Sequence, residues 1–169
     1  MKTRKLTVMA MLSAVALIIF VVEAQIPALV PIPGIKLGLS NIVTVFAVFT
    51  LGPWEAALIL GVRIFLGAVF AGNFSTILYS AAGGALAILV TILLRKILKQ
   101  NQLWVAGCVG AIAHSVGQMA VAIAVTGTPG LAIYLPVMVG CSVITGAFTG
   151  LCAQFLVKRR KDLWKTFSK

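Results

Sequence analysis

Acidic residues are almost missing from this chain: only three Asp and Glu occur among 169 residues, and Asp162 is the sole aspartate. Paired-carboxylate acid–base chemistry and carboxylate metal clusters need such residues close together, and no two of these three are near in sequence. Histidine is equally scarce, with one residue, His114. The three cysteines, Cys108, Cys141 and Cys152, form no CxxC pair and have no histidine at metal-ligand spacing, so they read as small apolar packing residues. HExxH, GxSxG and Walker A patterns are missing as well, which leaves no hydrolytic or nucleotide site in view. Nothing calls for a cofactor or a metal. Charge of either sign is thin, at 10% of residues, whereas a soluble domain carries about a quarter. A soluble globular domain is excluded.

What fills the chain is apolar. Hydrophobic residues make up 61% and the mean hydropathy is +1.12. Pro, Gly and charge divide the apolar runs into six expected transmembrane helices, at about 6–24, 37–51, 54–71, 75–94, 103–125 and 131–157. The second is short enough to be tilted, broken or shielded by its neighbours. The runs are continuous instead of alternating, so a β-barrel is not expected. The basic start, the run 6–22 and Val22-Glu23-Ala24 imitate a cleaved signal peptide. That run is long for one and Glu23 suits a cleavage site poorly, so it reads as the first span. The expectation is an all-α integral membrane protein, a single domain over 1–169 with no separate soluble module.

Orientation follows from the basic residues. Lys2, Arg4 and Lys5 form one cluster, Arg95, Lys96 and Lys99 a second, and Lys158, Arg159, Arg160, Lys161, Lys165 and Lys169 a third. These clusters hold twelve of the fourteen Lys and Arg, and with six spans all three fall on one side. The positive-inside rule makes that side cytoplasmic, with both termini there. The net charge of +11 therefore anchors helix ends at a lipid surface, and no nucleic-acid partner is expected.

Four charges lie near or within the spans: Glu23, Lys36, Glu55 and Arg63. Each would need a partner or water, since a charge in lipid costs roughly 2.5 to 3.5 kcal/mol. Glu55 is placed at a cytoplasmic turn, in the first turn of its helix. Arg63 lies about 12 Å into its helix. Bonding to neighbouring carbonyls and binding an anion are both open to it. Other polar groups gather toward the expected outer side: Gln25, then Lys36, Ser40 and Thr44 at helical spacing with Asn41 beside them, then Asn73, Ser75 and Tyr79. His114 and Gln118 share a helix face at i and i+4, with Ser115 adjacent. A hydrogen-bonded structural role and a ligand role both remain open for His114. Small residues recur at packing spacing in Ala10/Ala14, Gly34/Gly38, Ala113/Gly117 and Gly146/Gly150.

The segment Pro33-Gly34-Ile35-Lys36-Leu37-Gly38-Leu39-Ser40-Asn41 resembles the signature of the bacterial Gx transporter family, also catalogued as heptaprenyl diphosphate synthase component I. Further matching pieces are Arg63 with Leu66-Gly67, Tyr79-Ser80-Ala81-Ala82-Gly83-Gly84, and Ala113-His114-Ser115-Val116-Gly117-Gln118. Ser115 departs mildly from the asparagine common in the family. The family in turn is similar to the substrate-binding subunits of energy-coupling factor transporters. That resemblance implies six helices, residence in the bacterial cell membrane and an outward-facing pocket. It also implies an AxxxA docking motif on the first helix, met here by Ala10 and Ala14. The implied partners are a small-molecule substrate, a transmembrane coupling subunit and ATPase subunits.

The expectation drawn from this is a non-enzymatic substrate-capture subunit for uptake of a small molecule. The substrate-binding candidates are Lys36, Asn41, Arg63, Asn73, Tyr79, His114 and Gln118, which would suit an anionic or aromatic compound. The alternative is a non-catalytic membrane component associated with heptaprenyl diphosphate or quinone biosynthesis. A synthase of that kind would itself need clustered aspartates to hold magnesium on a diphosphate, and this chain has none.

Overall fold

The computed structural model describes residues 2–25, 36, 38–72 and 74–167; the side chains of residues 2, 4, 75, 100 and 160–167 are not part of that description. Six α-helices follow one another: α1 (Lys2–Glu23), α2 (Asn41–Thr50), α3 (Pro53–Ala71), α4 (Ser75–Arg95), α5 (Leu103–Thr126) and α6 (Leu135–Phe167). Short 3-10 turns at Gln100–Gln102 and Pro129–Tyr134 lead into α5 and α6. No strand occurs among the described residues, as the continuous apolar runs imply. Among the described residues five helical stretches are long and apolar enough to cross a membrane, which makes this a multi-pass membrane protein.

The second expected span is corrected. Its helix is Asn41–Thr50, not 37–51, and its ten residues cover about 15 Å, half of a bilayer core of about 30 Å. The cause is local. Gly38 takes φ +80°, in the left-handed region where a helix cannot run, and Asn41 N–H donates to the Gly38 carbonyl as the chain turns into α2. Lys36 and Ser40 therefore sit on irregular backbone ahead of the helix, and the expected Lys36–Ser40–Thr44 helical face does not form. At its other end α6 runs past the expected limit of 157, and α1 begins earlier than 6.

Short as it is, α2 is the central element. Val43, Ala47 and Val48 pack into a core with Ala16 of α1, Ala56, Ile59 and Leu60 of α3, and Ile88 of α4. On its other flank Val45 meets Leu103 of α5 and Ala153 and Val157 of α6. An apolar helix buried nearly all round is what such packing requires. α1 and α3 run parallel: Lys5 pairs with Glu55 where the two helices begin, and Phe20 lies against Gly67 near their ends. Among the described residues α1 packs on α2 and α3 alone. Ala10 and Ala14 lie on its exposed side, with Met11 and Ile18.

The other half is built on glycine. A Cβ on Gly107 would come within 2.3 Å of the Gly146 carbonyl and 2.6 Å of the Gly150 Cα, so α5 and α6 meet backbone to backbone. On the opposite side of α5, a Cβ on Gly117 would fall 2.8 Å from the Ala82 carbonyl of α4. Ser142 Oγ donates to the Met138 carbonyl at 2.7 Å, so its one proton is used. Ser115, 2.5 Å away, therefore donates to Ser142 Oγ and ties α5 to α6.

Candidate functional site

The site starts from the difficulty of α2. Irregular backbone at membrane depth survives only where protein satisfies its polar groups. Two side chains from different helices do so here. Glu23, in the last turn of α1, accepts the Gly38 N–H through Oε1. Gln118, on α5, accepts the Lys36 N–H through Oε1 at 3.4 Å. Arg63 of α3 donates through Nη1 to Ser40 Oγ on the same segment. Lys36 and residues 38–40 are thus the place where α1, α3 and α5 converge.

Glycines set the close approaches. A Cβ on Gly38 would sit 3.0 Å from Asn41 Nδ2 and 3.2 Å from His114 Cδ2, so this segment lies directly on the imidazole. A Cβ on Gly83 of α4 would fall 2.8 Å from the His114 carbonyl and 3.0 Å from Gln118 Cγ, which holds α4 against the other side of that pair. Gly67 leaves room for Phe20: a Cβ there would come within 2.7 Å of its ring. The Phe20 ring carries Lys36 Nζ at 3.5 Å from its centroid and lies 5.4 Å from Arg63 Cζ, so two cations lie against one aromatic ring.

The cluster is buried but not saturated. Glu23, Asn41, Arg63 and His114 are each at most 5% exposed. Yet Glu23 Oε2, both Asn41 side-chain atoms, Arg63 Nε and Nη2, and His114 Nδ1 have no hydrogen-bond partner among the described residues. Buried polar groups are ordinarily paired, and each unpaired one costs about 1–3 kcal/mol. Six such atoms in one place are the mark of a position that something else fills. The only ion pair among the described residues is far away, between Lys5 and Glu55.

Of the candidates named from sequence, the structure brings Lys36, Asn41, Arg63, His114 and Gln118 together. Tyr79 packs instead into an apolar cluster with Met119, Ala122 and Met138. Asn73 lies outside the described residues, as does Gly34. Three participants were not among the candidates: Glu23, Phe20 and Ser40. Their signal was present in part, since Phe20 and Glu23 are three apart and share a face of α1. Among the described residues no group of three His, Cys, Asp or Glu side chains could hold a metal ion.

The model of the heptaprenyl diphosphate synthase component I family matches residues 12–156. The chain belongs to that family. The matched stretch takes in Phe20, Glu23, Arg63, His114 and Gln118, the whole of the polar cluster. It leaves the basic ends of this heptaprenyl diphosphate synthase component I relative outside, along with Ala10. No curated protein and no solved structure gives a match.

Proposed function

We propose that this chain is a membrane-embedded ligand-binding component that does no bond-making of its own and serves heptaprenyl diphosphate or quinone synthesis. The observation that carries the binding role is the buried, unsaturated cluster of Glu23, Asn41, Arg63 and His114 inside an apolar bundle. The description of the family supplies the setting, since it names a component of a synthase. The scarcity of carboxylates supports a role without catalysis: a diphosphate-handling enzyme needs magnesium, and magnesium needs carboxylate ligands. Lys36, Asn41, Arg63, His114 and Gln118 are the proposed binding residues, joined now by Glu23.

A second reading has one specific observation in its favour. Ala10 and Ala14 face outward on α1, which leaves a smooth strip where another helix could approach closely. That suits the substrate-capture subunit of an uptake transporter, with a coupling subunit on α1 and ATPases beyond it. Capture of partners from native membranes in mild detergent separates the two. Recovery of a soluble prenyltransferase supports the synthesis setting; recovery of ATPases with a membrane coupling subunit overturns it in favour of uptake. In both settings the termini and the 95–102 loop are proposed to be cytoplasmic. Single cysteines at positions 99 and 128, on a cysteine-free background, test this with an impermeant reagent on intact cells: position 128 should label and position 99 should not.

A further inference from the structure

The binding cluster contains an anomaly of its own. Glu23 and Arg63 are of opposite charge, are both buried, and are close enough to influence each other. They nevertheless form no ion pair, and each keeps hydrogen-bonding atoms unused: Oε2 on the acid, Nε and Nη2 on the base. A carboxylate and a guanidinium free to meet in a low-dielectric interior close into a paired, two-bond contact. Here they are held apart by one short piece of backbone. Gly38 N–H occupies Glu23 Oε1, and Ser40 Oγ occupies Arg63 Nη1, so residues 38–40 act as a spacer between them. Lys36 makes no ion pair with Glu23 either: its ammonium lies on the Phe20 ring, near the carboxylate but not bonded to it.

Taking the binding role proposed above as given, we propose that the ligand is a small zwitterion, an amine-bearing acid that completes this open pair. Its ammonium would donate to Glu23 Oε2, and its acid group would accept from Arg63 Nε and Nη2. Asn41, whose amide has both a free donor and a free acceptor, and His114 Nδ1 lie beside that path. Glu23 Oε2 calls for a donor, while Arg63 Nε and Nη2 call for acceptors. A ligand carrying only an acid group would leave Oε2 unmet, and one carrying only an amine would leave the guanidinium unmet. A two-ended ligand is the class that meets both.

The test uses the full chain in detergent, with melting temperature as readout and four probe sets. These are a mixture of the common free α-amino acids, their N-acetyl derivatives, their carboxamides, and inorganic pyrophosphate. Mass spectrometry of small molecules retained by protein purified from native membranes runs beside it. The expected result is stabilisation by free amino acids alone, with Glu23→Gln and Arg63→Met each weakening the response about ten- to a hundredfold. Stabilisation by N-acetyl acids or pyrophosphate equal to that by free amino acids overturns the zwitterion and leaves the binding role standing. So does tighter binding of an anion to Glu23→Gln. Should the variants fail to fold, the probe series on the unaltered chain decides alone. If no probe acts, a retained molecule bearing both a basic nitrogen and an acid group supports the proposal, and one lacking either overturns it. No response and no retained molecule overturn both the zwitterion and the binding role.

Discussion

The two halves of the bundle are held together by opposite means. In α4, α5 and α6 the helices touch through glycine, and almost nothing polar is left over where Gly107, Gly146 and Gly150 meet. In α1, α2 and α3 the contacts at one pole are polar side chains, and hydrogen-bonding capacity remains unused there. Lipid offers no hydrophobic push between helices, so close van der Waals contact is the main means of making a rigid frame. The first kind of contact tolerates no added atom. The second tolerates substitution better and responds to what is bound. A glycine-packed frame and an unsaturated polar cluster thus share one short bundle, with α5 contributing to both.

The largest expected break is in the frame. Gly107→Val places a branched side chain where a single methyl already meets the Gly146 carbonyl at 2.3 Å. We expect a loss of about 3 kcal/mol or more, the upper end for overpacking, seen as a collapse of the monodisperse peak in detergent. Arg63→Met comes next. It removes one hydrogen bond, to Ser40, and leaves the buried Glu23 with Lys36 as its remaining nearby cation. A stability loss of about 1–3 kcal/mol is expected, with binding of any anionic group weakened well beyond what that loss explains. Unchanged affinity in a well-folded Arg63→Met protein would remove Arg63 from the site.

Smaller effects sharpen the contrast. Gly38→Ala must adopt φ +80°, which costs a residue with a side chain about 1–2 kcal/mol, and its methyl meets Asn41 and His114 at 3.0 and 3.2 Å. Neither neighbour is backbone, so both can yield. The melting temperature should fall modestly while ligand affinity falls further, because the displaced groups are those of the site. Gly61→Ala is the control: a Cβ there meets nothing within 4 Å, and the residue is in mid-helix. No loss is expected, and a gain of up to about 1 kcal/mol from helix propensity would be consistent. A clear loss at Gly61 would mean that α3 has a neighbour on that side.

Much of the bundle was legible in the sequence. Helix periodicity hardly mattered; continuous apolar runs punctuated by Gly52-Pro53 and by the cluster at Arg95 were enough to place α3, α4 and α5 within a residue or two. The start of α2 was not legible, because hydropathy does not register the sign of φ at Gly38. Half of the site could be read from intrachain logic, since a membrane-embedded Arg63 and a His114–Gln118 face announce themselves by cost and spacing. Glu23 could not be ranked that way. At the end of α1 it looked like a residue at the water boundary, and hydropathy gives no sign that Gly38 returns to bond its carboxylate. Tyr79 erred in the other direction: an amphipathic ring beside polar neighbours in sequence turned out to fill apolar space.

The shortness of α2 also bears on how the chain is made. A helix of ten residues is too short to be released into lipid as an independent segment, and α3 arrives carrying Arg63, whose insertion costs roughly 2.5 to 3.5 kcal/mol. Each defect is remedied by the other segment. Ser40 meets the guanidinium, and α3 covers one flank of α2 through Ala56, Ile59 and Leu60. The two are separated only by Leu51 and Gly52, and Gly52 N–H closes back on the Ala47 carbonyl to set the turn. Joint entry of the two as one helical hairpin is the expected route, and lengthening the connection between them should lower the yield of inserted protein.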